Sequence, residues 1–154
     1  MKNKQTSRRN FLIGAGSGFL VPGLAQAPQP TDWNAQERAN VELVNKFCAA
    51  WSTRDMAQPL SFLADDSIYR MSETTPPAKG HDGVIERLKS YVDESDRVEF
   101  KVFETFAKGS IVMNHRIDSF VSKTRPVTWE GVGIFFVQNG KIKEWSDYTI
   151  RVAR

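Results

Sequence analysis

Apolar positions along this chain change their period once. From Trp33 to about Thr53, Val41, Val44, Phe47, Cys48 and Trp51 recur every three or four residues, with Glu37, Arg38, Asn45 and Lys46 elsewhere. That spacing predicts an amphipathic helix with Asp32 as its N-cap. A short second helix is expected over about 55–63, carrying Leu60 and Leu63. Asp65-Asp66-Ser67 then breaks into a short strand over 68–71. Ser72 to Gly80, with Pro76-Pro77, predicts a loop. A third helix, capped by Asp82, is expected to run to about Val92, with Val84, Ile85, Leu88 and Tyr91 on one side.

Beyond Ser95 the period falls to two. Residues 98–106, 111–121, 127–137 and 142–152 are rich in Val, Ile, Phe, Trp and Thr. Lys108-Gly109, Ser122 to Pro126 and Asn139-Gly140 separate them, and the last is a strong hairpin signal. Helices first and an antiparallel meander last make an α+β plan, with a pocket between the curved sheet and its helices. Trp129, Trp145, Phe103, Phe106, Phe135 and Phe136 read first as core.

The first thirty residues follow other rules. No Asp or Glu precedes Asp32, and Lys2, Lys4, Arg8 and Arg9 give a basic start. A weakly apolar run from Phe11 to Val21 follows, then Ala25-Gln26-Ala27. This is the plan of a secretory signal, and Ser7-Arg8-Arg9-Asn10-Phe11-Leu12 resembles the twin-arginine export motif. The run is shorter than the ~18 residues that a membrane span needs. The expected organisation is a signal over 1–27 and one domain over 28–154, exported to the periplasm or beyond, with no stable membrane insertion after processing.

That division changes the meaning of the charge. The 154-residue chain carries a formal +3, which hints at an anionic partner. Removing the four basic residues of the signal from 21 leaves 17 against 18 acidic ones, a net −1. A nucleic-acid partner is therefore not expected. The lone Cys48 excludes an intrachain disulfide and sits on an apolar helix face, so it reads as core. There is no phosphate-binding glycine loop, no H-E-x-x-H and no G-x-S-x-G, which disfavours dinucleotide binding, zinc chemistry and serine hydrolysis.

Candidate chemistry lies on two strands. With period two, Val112, Asn114, Arg116, Asp118 and Phe120 share one strand face, and His115 takes the other. In the last strand Trp145, Asp147 and Thr149 share a face; Tyr148 and Ile150 take the other, and Trp145, Tyr148 and Ile150 make an apolar setting for Asp147. Two acids and one Arg in a pocket can hold one carboxyl protonated and the other ionised. Strand faces also carry Arg–Asp pairs at the surface, so the pattern by itself leaves both readings open. His81, beside a helix cap, reads as exposed; Glu130, in an otherwise apolar strand, reads as part of a solvated face, with entry into the pocket as the alternative.

Asp65-Asp66-Ser67-Ile68-Tyr69, the Pro76-Pro77-x-x-Gly80 loop, Arg116-Ile117-Asp118 and Gly140-Lys141-Ile142-x-x-Trp145-x-Asp147-Tyr148 resemble the limonene-1,2-epoxide hydrolase family. The likeness covers nearly all of the chain after the signal. It implies a cone-shaped α+β barrel of the nuclear transport factor 2-like group, with three N-terminal helices on a curved, mostly antiparallel sheet, often dimeric through that sheet. It also implies a cofactor-free, metal-free site. Asp118 would be the general acid on the epoxide oxygen and Asp147 the general base on water. Arg116 would bridge them and Tyr69 would hydrogen-bond the water. Where the family has an Asn two residues after the Tyr, this chain has Met71, a poor hydrogen-bond partner, so Ser72, Asn114 or Glu73 would have to hold the water. The rival expectations are a polyketide-cyclase-like or ketosteroid-isomerase-like enzyme using an Asp to abstract a carbon-bound proton, and a non-catalytic exported protein binding an apolar ligand.

Overall fold

Asn34, not Asp32, starts the first helix in the computed structural model, which describes residues 32–152; the segment expected to be an export signal, with its expected cleavage site, lies outside them. Asn34 accepts from the Glu37 backbone, and the Glu37 carboxylate accepts from the Asn34 backbone. This reciprocal capping box satisfies two amides that the helix leaves unpaired. The helix α1 (Ala35–Ala50) ends in a 3-10 turn over Trp51–Thr53, three residues earlier than its apolar period suggests.

The second helix, α2 (Ala57–Leu60), is one turn long. Leu63 belongs instead to strand β1 (Leu63–Arg70), which runs through Asp65-Asp66-Ser67 as a register irregularity rather than starting after it. The loop closes on β2 (Ala78–Lys79), paired antiparallel to β1. Helix α3 (Gly80–Asp93) begins after Lys79, so Asp82 lies in its first turn and is not its cap. Val84, Leu88 and Val92 form its buried stripe.

Strands β3 (Arg97–Lys108), β4 (Ile111–Val121), β5 (Val127–Gln138) and β6 (Lys141–Arg151) form the meander. Asn139 and Gly140 turn the last hairpin with φ of 52° and 71°, the left-handed pair that its strand twist requires. The sheet order is β2-β1-β6-β5-β4-β3, with β1 parallel to β6 and the other neighbours antiparallel. This is a nuclear transport factor 2-like fold. Its six-stranded mixed sheet curves around the helices but does not close into a barrel, because β2 and β3 remain edges.

The core fills the concave side. Phe47 of α1 meets Trp51, Phe135 and Trp145 edge-on at 5.0–5.9 Å between ring centroids. Val44, Val84, Val112 and Ile142 are fully buried around them. Phe103, Phe106 and Phe136 are not core: they lie exposed, Phe106 by 52%. Pattern gives their hydrophobicity, but the helices cover only the concave face of the sheet and these three take the other.

Candidate active site

Arg116 and Asp118 leave β4 on its inner face, and Asp147 leaves the inner face of β6. Strand β5 separates them, and cross-strand register decides what lies between. Asn114, Gly133 and Asp147 make one row across three strands; Arg116, Gly131 and Thr149 make the next. The central strand therefore offers a trough at Gly133 that the Arg116 guanidinium fills, whereas a Cβ on Gly131 would stand 2.1 Å from the Tyr148 backbone oxygen. A Cβ on Gly133 would stand 1.7 Å from Arg116 Nη1, so any other residue would displace the guanidinium.

Each edge of that guanidinium has its own partner. Nε donates to Asp118 Oδ1 at 2.8 Å, Nη2 to Asp147 Oδ1 at 2.6 Å, and Nη1 to Asn114 Oδ1 at 3.0 Å. The Arg116 side chain is 0% exposed and each carboxylate 7%. Charge-assisted bonds in so dry a place are strong, and the planar fork suits two acids at once. The rings of Phe100, Phe135 and Trp145 lie 5.4–5.9 Å from Cζ and add cation–π attraction. Burial works against the Arg116 charge, but Asp147 and Asp118 together raise its pKa.

The two acids sit in unequal environments. Asp147 Oδ1 also accepts from Trp145 Nε1 at 2.7 Å, and its Oδ2 accepts from the Tyr69 hydroxyl at 3.2 Å. Asp147 thus accepts from three donors, Arg116, Trp145 and Tyr69. Asp118 has one donor group, Arg116, among the described residues. Burial pushes its carboxyl up to about 6; Arg116 opposes this, and the Asp147 charge adds to it. Burial, reinforced by Asp147, also drives the Tyr69 hydroxyl well above its ordinary pKa, so it stays a donor.

A cavity of about 360 Å³ meets the carboxylates. Phe100, Phe120, Trp129, Leu88 and Tyr91 line it from β3–β5 and α3. Met71, Ser72, Thr75 and Thr149 line it from the β1 and β6 side. Arg116 lies behind the acids and does not reach it. Among the described residues no group of three or more His, Cys, Asp or Glu could hold a metal ion.

The SnoaL-like domain family matches residues 44–145. The chain belongs to that family. No curated protein matches it. Three solved structures resemble this SnoaL-like domain in fold. A protein from Jannaschia sp. CCS1 described as a SnoaL-like polyketide cyclase has a TM-score of 0.66 at 15% identity, over 77% of this chain and 90% of its own. Bal32a, from a soil-derived mobile gene cassette, has 0.64 at 13%, over 74% and 91%. An LEH-like epoxide hydrolase from M. tuberculosis has 0.62 at 24%, over 74% and 84%.

The SnoaL-like fold brings Asp118, Arg116, Asp147 and Tyr69 side by side; strand periodicity places only Arg116 and Asp118 on one face, and their meeting with Asp147 and Tyr69 is implied by the resemblance alone. Other expectations change. Tyr148 and Ile150 are exposed on the far face, so the apolar setting of Asp147 comes from Trp145 and Tyr69, whose rings stack at 3.9 Å. His81 is half-buried rather than exposed, and its buried Nε2 has no hydrogen-bond partner among the described residues. His115 faces outward and meets Glu130 at 3.2 Å, which keeps both away from the cavity. Of the candidate water-holders, Asn114 lies under the guanidinium and Glu73 is exposed, whereas Ser72 lines the cavity and its hydroxyl meets that of Thr75 at 2.7 Å. Sequence reasoning missed Trp145 as a donor and the glycine trough. A signal existed: alternate residues of β5 read Trp129, Gly131, Gly133, Phe135, and Gly133 is the gap beside a large ring that takes the guanidinium.

Proposed function

We propose that this SnoaL-like domain is a cofactor-free epoxide hydrolase acting on a small, largely apolar epoxide. One observation carries the reading: a single buried guanidinium joins two carboxyls in unequal surroundings at the edge of a cavity. Asp118, whose carboxyl burial pushes up to about 6, donates its proton to the epoxide oxygen as the C–O bond breaks. Asp147 accepts a proton from the water that attacks the ring carbon. The product is a diol, and the proton passes from Asp147 back to Asp118 through solvent. Acid and base act in one frame, which lowers the barrier without a covalent intermediate. The Tyr69 hydrogen is engaged by Asp147, so its oxygen can only accept from the water. The Ser72–Thr75 hydroxyl pair supplies the second contact that Met71 cannot.

The mature protein is expected over residues 28–154, exported by the twin-arginine route. We further propose a homodimer formed through the outer sheet face. There Phe106, Met113 and Ile134 form one cross-strand row and Ile111 and Phe136 another, with Phe103, Tyr148 and Ile150 exposed nearby. Apolar area of this kind on a folded surface marks an interface. Sedimentation of residues 28–154 should report a dimer, and a monomer at micromolar concentration would remove this part of the proposal.

Met71 favours one second reading. A site with no amide beside the base suits an enzyme in which Asp147 takes a proton from carbon and no water attacks. Turnover of terpene, styrene and fatty epoxides in oxygen-18 water separates the two. Hydrolysis puts one labelled oxygen in the diol. Its kcat/KM should fall as pH rises past about 6, where Asp118 loses its proton. No labelled diol from any of the epoxides would overturn the hydrolase.

A further inference from the structure

Asn114 is the neutral one of the three side chains that the Arg116 guanidinium bonds, fully buried at the back of the site and away from the cavity. Its amide orientation is fixed from both ends. Oδ1 accepts from Arg116 Nη1 at 3.0 Å, and Nδ2 donates to Cys48 Sγ of α1 at 3.4 Å. A flipped amide would set N–H against N–H on the guanidinium side. Burial pushes the Cys48 thiol up to about 11, so it stays neutral and brings no charge to the back of the site.

We propose that Asn114 is a positioning residue for the reaction: it holds the third edge of the Arg116 guanidinium over Gly133, so that the other two edges are aimed at Asp118 and Asp147. This rests on the acid–base reading of the site. The geometry explains why an amide stands there. A guanidinium has three edges and the chemistry uses two. A carboxylate on the third would give three acids around one cation. The cluster would then bind a second proton, and its location would no longer be confined to Asp118. An apolar side chain would leave Nη1 unsatisfied in a buried site. An amide is the acceptor that adds no charge. The remaining faces are settled. Asp118 is met by Arg116 on its own strand, by Phe100 in register on β3 and by Trp129 in register on β5. Asp147 of β6, Tyr69 of β1 and Cys48 of α1 are the other titratable groups near it.

The test needs no substrate. Carboxyl carbon-13 and guanidinium nitrogen-15 signals are followed from pH 4 to 9 in the ligand-free protein and in Asn114→Asp and Asn114→Ala. The wild type should show separate Nη1 and Nη2 signals, because three bonds stop rotation about Nε–Cζ. In Asn114→Ala those signals should merge while the fold is retained. In Asn114→Asp the midpoint of the Asp118 titration should move at least tenfold in proton concentration. If that variant unfolds at neutral pH, recovery of its fold below pH 5 reports the same added proton. Resolved Nη signals in Asn114→Ala would overturn the proposal. So would an unchanged Asp118 titration in folded Asn114→Asp, or failure of Asn114→Asp to fold at any pH beside a wild-type-like Asn114→Ala. If the spectra change as expected but no epoxide is ever opened, the positioning role stands and the hydrolase reading falls.

Discussion

Asp118→Asn should be inactive and, at pH 8, more stable than the wild type. A folded-state pKa near 6 against an ordinary carboxyl value of 3.8 means that the folded protein binds this proton more tightly than the unfolded chain does. Stability is therefore greatest below about pH 4, falls as pH rises from about 4 to about 6, and is flat above. Every tenfold difference in proton affinity between folded and unfolded chain is worth about 1.36 kcal/mol. The rise from 3.8 to about 6 is roughly a hundredfold difference, so the buried Asp118 charge costs roughly 3 kcal/mol above pH 6. An amide removes that charge, keeps an oxygen for Arg116 Nε, and leaves a neutral Arg116–Asp147 pair. Thermal unfolding should place Asp118→Asn several degrees above wild type at pH 8 and level with it at pH 4. Diol formation should fall by roughly 100-fold or more, the usual scale for removing a general acid. Equal melting temperatures at both pH values would show that the Asp118 charge carries no burial penalty. Full activity would remove it from the chemistry.

Arg116→Met should have the opposite effect on stability. The apolar replacement fills the trough but leaves two carboxylates, each 7% exposed, without a cation. Removing one partner of a buried ion cluster costs about 3–5 kcal/mol. Against a total stability of about 5–15 kcal/mol, that is enough to unfold part of the population. The loss has a defined pH dependence. Arg116 is what holds the Asp118 carboxyl down against burial, so without it that acid takes up its proton more readily and stability should recover as pH falls from 8 to 5. Arg116→Lys should not rescue it, because one ammonium cannot serve three edges. Chemical denaturation at pH 8 and pH 5 measures both effects. A variant as stable as wild type at pH 8 would mean that the acids reach water in ways the 7% exposure denies.

Much of this architecture was legible in the chain. The meander strands were readable to within about two residues because Val, Ile, Phe and Thr alternate and glycines punctuate them. Period two alone put Arg116 and Asp118 on one face, with His115 on the other. Local pattern failed where tertiary contact overrides it. Leu63 reads as the end of a helix, yet parallel pairing with Ile142 of β6 draws it into β1. Phe106 and Phe136 read as core because pattern reports hydrophobicity but not which side of a sheet the helices cover.

The sequence by itself determined the two long helices, the four meander strands, the faces of the two acid-bearing strands and the basic segment that precedes the domain. It could not determine that Asp118 and Asp147 share one cation, because they lie on strands separated by a third and no local rule fixes how strands align across a sheet. Register did that. It set Gly133 between Asn114 and Asp147 and left a gap the size of a guanidinium, so three side chains weak as separate surface charges became one buried, hydrogen-bonded unit.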